Sequence, residues 1–584
     1  MHSAALDRRI VPTLVAGISA AALAYDPSAP AAAPKRLAAL LLCVLAVGLV
    51  LGRELRSRRS AAGDRVPVPA LLLAIVAAWW SVTLLWGAPS GIPEVGTWVA
   101  GATLALVASR MPQYAAERAL ELAAIVIGTL TALVMLTQFA LGVAPTLRHG
   151  GHGNPDWAGL VLALGLLPSC GLAVRLRQQG RRAFALAVVA IAIELLALAL
   201  ARSRTAWLAV GLGAAVAAVG PRRPRVTAAT VSVGVFAVAT ALTLPPVTRV
   251  LWSGQGEPMA EPARGLGGRA WIGMVCADAA LRHAPLGAGA GRFGHAYLAE
   301  QGRRLGELPL VEASRRFHNA RSAHSDWLES AAVAGVPALG LLALALSWSL
   351  FEHLKSRRRW LSGATAITLV CATGDCTLAR PAAMLLTALL LATNDRTLQL
   401  PGGGRLRWPL ALGLCAWLLT ESARGFIAAR WVTEAQASPP LERAAQLEAA
   451  AALDPRSGQA ALELGLMRSA LGDPRGAIDA LKRSQPLLAN VGTEIALANA
   501  YVARGELGRA EEALQRALLL HPASFRAHAN LAVVSIRLGA LARASAHLRS
   551  AQQLWPGHPR LPAIAEQLRH AELDRTTGGP PDSG

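Results

Sequence analysis

RRAFALAVVAIAIELLALALARSRTAW, residues 181–207, decides how this chain folds. It opens on two arginines, runs almost wholly apolar from Phe184 to Ala201, and closes on Arg202 and Arg204. An apolar run of this size approaches the ~20 residues that a helix needs to cross the hydrocarbon core of a bilayer. Similar runs lie near 11–25, 36–52, 68–87, 94–109, 121–141, 158–174, 206–220 and 226–243. Nine crossings therefore precede a long polar segment, 244–326. Further runs near 327–350, 361–377, 381–396 and 408–428 bring the total to about thirteen.

The composition agrees. At 53% hydrophobic and 16% charged over 584 residues, the chain carries too much apolar surface for one soluble core. Its net charge of +21 does not indicate nucleic-acid binding, because the arginines sit in short clusters between the apolar runs. With a cytoplasmic N-terminus, the even-numbered gaps carry Arg53, Arg56, Arg58, Arg59 and Arg65, then Arg110 and Arg118. Arg175, Arg177, Arg181 and Arg182 come next, then Arg222, Arg223 and Arg225, while the odd-numbered gaps are poor in Arg and Lys. That is the positive-inside pattern, and it places 244–326 and the C-terminus on the outer side. The first run also reads as a signal peptide, since Arg8 and Arg9 precede a stretch ending near Ala22-Leu23-Ala24. Either reading leaves the downstream sidedness unchanged. The six cysteines have neither metal-ligand spacing nor the density of a disulfide framework, and read as small core residues.

From about residue 437 the composition shifts to Ala, Leu, Arg and Glu. Gly505 and Gly539, Ala510 and Ala544, Ala517 and Ala551, and Pro522 and Pro556 are each 34 residues apart, the tetratricopeptide period. An earlier unit carries Gly465, Gly472 and Ala477. The expected architecture is all-α: a polytopic transmembrane bundle of about 13 helices over 1–430, with 244–326 as its large outer loop. An α-solenoid over 437–570 follows, and a disordered tail over 571–584.

One gap breaks the charge rule. Arg202 and Arg204 stand on the side where Arg is otherwise scarce. Either one caps helical carbonyls while the other reaches lipid phosphates, or the pair serves a ligand. The outer segment adds Gly267-Gly268-Arg269-Ala270-Trp271, the glycine-rich run 284–293, and His318 through Leu328, which includes Arg321, His324 and Asp326. The glycines supply either a turn or backbone amides for a phosphate. His318, His324 and Asp326 fit no standard metal-ligand spacing.

At these residues the chain resembles the O-antigen ligase and polymerase superfamily, which includes the protein O-oligosaccharyltransferases. The resemblance covers roughly residues 1–430. Its most specific element is His, then Asn, Ser or Gln, nine residues, then Gly, matched by His324, Ser325 and Gly335. Ala338 and Val333 stand where the family usually has Gly, Thr or Tyr and an acidic residue. Arg204 with Trp207 is similar to the family's Ser-Arg element, Arg269 with Trp271 to its outer-loop Arg, and Gly153-Asn154-Pro155-Asp156 to a further outer-face element.

The resemblance implies a multi-pass protein of the bacterial inner membrane, with its active site and repeat domain facing the periplasm. It implies transfer of a glycan from an undecaprenyl diphosphate carrier to an acceptor hydroxyl on a glycan, lipid or protein. His324 would be the catalytic base and Arg204, Arg269 and Arg202 the diphosphate ligands, with Arg321, Asp326 and Asn154 in support. Arg neutralises a diphosphate bidentately, so neither metal nor cofactor is required. Membrane lipids surround the bundle, and the repeats offer a surface for a protein partner. Protein O-oligosaccharyl transfer is the second reading. A lipid-linked glycan transporter and an assembly scaffold are more distant ones.

Overall fold

A computed structural model of the chain describes residues 2–26, 30, 32–57, 65–144, 149–178, 180–219, 266–400 and 407–577. Apart from one short strand pair, the described residues in regular structure are helical. The helices are α1 (His2–Leu23), α2 (Ala32–Ser57), α3 (Val68–Val82), α4 (Ile92–Ala108), α5 (Gln113–Ala140), α6 (Pro155–Leu176), α7 (Arg181–Ala201) and α8 (Arg204–Val219). Then come α9 (Leu266–Arg282), α10 (Phe293–Gly306), α11 (Leu310–Arg316), α12 (Asp326–Lys355), α13 (Arg359–Gly374), α14 (Pro381–Ala392) and α15 (Arg407–Ala435). Eight of them, α2 to α7, α12 and α15, are long and apolar enough to cross a membrane. Val11–Leu23, Arg204–Ala218 and Pro381–Ala392 are shorter apolar helices. The expected ninth crossing, 226–243, lies outside the described residues, as do the first residues of the expected outer loop.

The chain divides into two compact units. The first comprises Met1–Leu242, His283–Gly291 and Ser322–Phe426; the second comprises Thr243–Arg282, Arg292–Arg321 and Ile427–Gly584. This differs from the expected division, which assigned all of 244–326 to the membrane domain.

In the first unit, small residues let helices approach closely, the usual basis of packing where both partners are apolar. A Cβ on Gly213 of α8 would lie 2.9 Å from the Gly363 carbonyl oxygen of α13. Ala132, Met135, Ala158, Leu162, Ala197, Leu198, Ala201 and Ala206 join α5, α6, α7 and the start of α8 in one buried cluster. The arginine-rich gaps meet one another. Arg358 bridges Glu117 (2.6 Å) and Asp395 (2.7 Å), and Glu121 binds both Arg118 (2.9 Å) and Arg175. A further gap joins the one that carries Asp395 through antiparallel strands, β1 (Arg65–Pro67) with β2 (Thr397–Gln399). This pair corrects the purely α expectation: two connections brought to one end satisfy their backbone groups by pairing. Because Arg358 precedes α13 and Asp395 follows α14, these two helices form an antiparallel pair whose joining turn, 375–380, lies at the opposite end.

In the second unit, repeat helices α16 (Pro440–Leu453), α17 (Gly458–Ala470), α18 (Pro474–Ser484), α19 (Val491–Ala503), α20 (Leu507–Leu520), α21 (Phe525–Arg537) and α22 (Leu541–Leu554) stack in sequence, and α23 (Arg560–Thr577) follows. Ala510, Ala517, Ala544 and Ala551 are fully buried where the helices meet. Gly472, Gly505 and Gly539 make the turns within helix pairs with φ of 77°, 79° and 72°. The solenoid starts earlier than residue 437: α15 continues past the apolar run, and its Ala428, Val432 and Ala435 pack on Leu447 and Ala450 of α16. The tail expected to be disordered from 571 is helical as far as Thr577, since Leu561, Ile564 and Leu568 anchor α23 on α21 and α22; residues 578–584 lie outside the described ones.

The helices of the outer segment belong to this same unit and pack on the solenoid. Gly302 of α10 is so close to α20 that a Cβ would sit 2.0 Å from the Leu519 carbonyl oxygen. His295 Nε2 is 2.9 Å from the Gln485 carbonyl oxygen. Phe317 stacks on His521 at 3.9 Å between centroids and 12° between planes. Burial, aided by His528, lowers the His521 pKa to about 4, so the stacked imidazole is neutral at physiological pH.

Candidate functional site

His324 precedes α12 with a left-handed backbone, φ 51°. Such a conformation is uncommon for a residue other than glycine and persists where its surroundings hold it. Both neighbours are held. The Ala323 N–H donates to Glu329 Oε2 (3.0 Å), and Ser325 caps α12 by accepting the Leu328 N–H while its hydroxyl reaches the Ala372 carbonyl (3.5 Å). The imidazole itself is about one-third exposed, with Nδ1 3.5 Å from Asp375 Oδ1.

Asp326 does not orient His324. Its Oδ2 accepts the Thr377 N–H (2.8 Å), the Thr377 hydroxyl (2.8 Å) and the Leu378 N–H (2.9 Å), and Oδ1 accepts the Ala379 N–H (3.3 Å). This buried carboxyl therefore anchors the α13–α14 turn, and that turn presents Asp375 to the histidine. Cys376 completes the anchoring by donating its thiol proton to Glu329 Oε2 at 2.8 Å.

Three further elements reach the same end of the first unit. Arg202 ends α7 in a left-handed conformation (φ 53°), and the buried Ser203 caps α8 by accepting the Ala206 N–H (3.3 Å). Arg202 and Arg204 are both exposed. Their turn abuts the Asp375 turn, since a Cβ on Gly374 would lie 2.4 Å from Thr205 Cγ2. It also touches the start of α6, where a Cβ on Gly159 would lie 3.0 Å from Ser203 Cβ. Asn154 caps α6 by accepting the Asp156 N–H (2.8 Å), and Trp157 lies beneath the Arg380 guanidinium at 3.7 Å.

The central amides of the glycine-rich run, from Gly287 to Gly291, are all taken. The Gly287, Ala288, Gly289, Ala290 and Gly291 N–H groups donate to the His283, Ala332 and Val333 carbonyls, the Thr83 hydroxyl and the Glu94 carboxylate. It is a latch on α12, which breaks at Gly335 (φ 75°, ψ −172°), and the Val336 N–H returns a bond to the Pro285 carbonyl (2.9 Å). Gly335, the last residue of the family-like pattern, is needed for this packing.

The remaining sequence candidates, Arg269 and Arg321, belong to the second unit. There Trp271, two residues from Arg269, donates to Gln301 Oε1 (3.3 Å), and His318 Nδ1 is 2.8 Å from the Arg316 carbonyl oxygen. Among the described residues, no three His, Cys, Asp or Glu side chains form a metal-binding group. Asp375, Glu329 and Arg380 were not singled out as site residues from sequence. For Arg380 a signal existed: an Arg in a gap on the Arg-poor side, as with Arg204.

No family model matches the chain, and no curated protein matches it. Among solved structures it aligns with the "Crystal structure of APC/C hetero-tetramer Cut9-Hcn1" at 14% identity, over 92% of this chain and 90% of that one, with a TM-score of 0.23.

Proposed function

We propose that the chain is a glycan transferase of the bacterial inner membrane. In this reading it moves a glycan from an undecaprenyl diphosphate carrier to an acceptor hydroxyl on the periplasmic face. The observation that carries the reading is the meeting of His324 with Asp375, on a turn that abuts the Arg202–Thr205 turn. The acceptor oxygen attacks the anomeric carbon, the bond from that carbon to the diphosphate oxygen breaks, and the hydroxyl proton passes to the imidazole. Nδ1 lies 3.5 Å from Asp375 Oδ1 without a hydrogen bond in this structure, and the bond formed when the two close in the reacting complex leaves Nε2 to take the proton. The diphosphate leaves with its electron pair, and its growing charge is met by Arg204, whose planar guanidinium can bind two of its oxygens at once. The repeats serve acceptor or partner capture.

The test is in-vitro transfer from a purified carrier-linked glycan, offered lipid A core, free glycan and protein acceptors in turn. Activity is expected to fall in the order wild type, Arg204→Lys, Arg204→Ala, because Lys keeps the charge but loses the bidentate fork. Near-wild-type activity of Arg204→Ala removes Arg204 from the scheme. The same series at Arg269 tests the outer-loop arginine of the resemblance.

The reading also carries a topology of about thirteen crossings. Reporter fusions at Gln255 and Ala523 are both expected to be active in the periplasm. A cytoplasmic signal at Ala523 alone would change the parity of the crossings and place the repeats inside.

A further inference from the structure

At the end of the first unit that carries His324 there is a cavity of about 20 Å³, within about 360 Å³ of space that includes some open to solvent. Lys35, His152, Trp157, Thr377 and Arg380 are among its lining residues. The enclosed part holds about one water, or one oxygen of a larger anion. Thr377 and Arg380 belong to the turn that carries Asp375.

The polar groups around this cavity leave cationic donors over. Arg36, next to Lys35, gives its Nε–H to Thr97 Oγ1 (3.1 Å). The buried acid that faces Arg36 and Arg380 electrostatically is Glu94, and it already accepts the Gly291 N–H. Lys35 Nζ donates to the Ala22 (2.5 Å) and Ala24 (3.0 Å) carbonyls, and an ammonium has three protons to give. Arg380 lies flat on Trp157, and its buried Nε–H has no hydrogen-bond partner. His152 adds no charge, because burial, Lys35 and His149 hold its pKa well below the ordinary value; its Nε2 is 3.0 Å from the Thr131 hydroxyl. A buried guanidinium donor without a partner is costly, and its presence in a folded protein points to a group that completes it. The carboxyls near this end are engaged elsewhere: Glu94 accepts the Gly291 N–H, Glu329 the Ala323 N–H and the Cys376 thiol, and Asp326 the Thr377–Ala379 groups. Lys35 and Arg380 carry donors only, so the group that completes them is an acceptor, and an anion is the acceptor that two converging cations favour.

We propose that this cavity is an anion subsite that takes a phosphate oxygen of a lipid diphosphate, with Arg380 as principal donor and Lys35 as second. The stack on Trp157 fixes the guanidinium plane, so its remaining donors are presented in one orientation. The subsite rests on the transferase reading for the identity of its lipid and supplies that reading with a ligand on the Asp375 turn. A free phosphate shares the chemistry.

The experiment is direct binding of farnesyl diphosphate to the purified full-length chain in detergent, with farnesol and inorganic pyrophosphate as competitors and thermal unfolding measured alongside. Wild type and His324→Ala are expected to bind alike. Arg380→Gln is expected to weaken binding by on the order of ten- to a hundredfold, as for loss of one charge-assisted hydrogen bond, and Arg380→Lys less. Farnesol should not compete, and pyrophosphate should compete only weakly. Wild-type binding by a stably folded Arg380→Gln overturns the subsite. If that variant does not fold, Arg380→Lys decides: binding equal to wild type removes the guanidinium's role. Pyrophosphate competing as well as the lipid overturns the lipid assignment. Arg380-dependent binding without transfer to any acceptor overturns the transferase reading and leaves the subsite standing.

Discussion

His324→Ala is expected to lower glycan transfer by about 10²–10⁴-fold, the usual worth of a positioned general base, while binding of the lipid diphosphate is unchanged. The split follows from the proposed roles. Proton removal from the acceptor belongs to the transition state, whereas the diphosphate is held by arginines on other turns. A residue that merely caps α12 would behave differently, because that helix start is already held by Ser325 and by the Asp326 anchor. Single-turnover transfer with each variant, beside donor binding, separates the two. Near-wild-type turnover by a stably folded His324→Ala removes general-base catalysis by this residue.

Which features were legible in the sequence follows from how local their causes are. The apolar runs were readable because the length and composition of a crossing helix are set within one segment, and the eight long apolar helices all fall on expected runs. The solenoid was readable because each repeat reuses the same small residues at the same spacing, as Ala510 and Ala544 do. The partner of His324 was not. Asp326, two residues away, could be expected equally to orient the histidine or to sit as an acid at the helix N-terminus; it does occupy the first turn, and its lone pairs are spent on backbone N–H groups of the 377–379 turn. Asp375 reaches the imidazole only because α13 and α14 bring their turn back to the start of α12, a contact across 51 residues that no local pattern encodes. The division of the outer segment was equally hidden. Phe317 and His521 stack although more than two hundred residues separate them, and neither carries a periodic signal that pairs them. The glycine-rich run was visible as a run, but its purpose depended on which carbonyls of α12 were left open to its amides.

Gly335→Ala is expected to be the most damaging single-methyl change in the first unit, and its cause is backbone geometry. The backbone at Gly335 has φ 75° and ψ −172°, a region that only glycine occupies freely, with strain on the order of 1–3 kcal/mol for other residues. A Cβ there would lie 2.1 Å from the Pro285 carbonyl oxygen and 2.5 Å from the Leu286 carbonyl carbon. These are backbone atoms, so they cannot swing aside as a side chain would. Relief requires the 285–289 latch to move, which breaks the Val336–Pro285, Ala288–Ala332 and Gly289–Val333 hydrogen bonds, each worth about 1 kcal/mol net. Together these losses come to at least ~3 kcal/mol, enough to lower the unfolding temperature in detergent by several degrees or to prevent accumulation. The control is Gly340→Ala, five residues along the same helix, where a Cβ meets nothing within 4 Å. Without a clash, that change is expected to be neutral or to stabilise by up to about 1 kcal/mol through helix propensity. If the two variants unfold at the same temperature, the latch does not hold α12 in its broken form. In that case the last glycine of the His324-Ser325-Gly335 pattern is there for another reason.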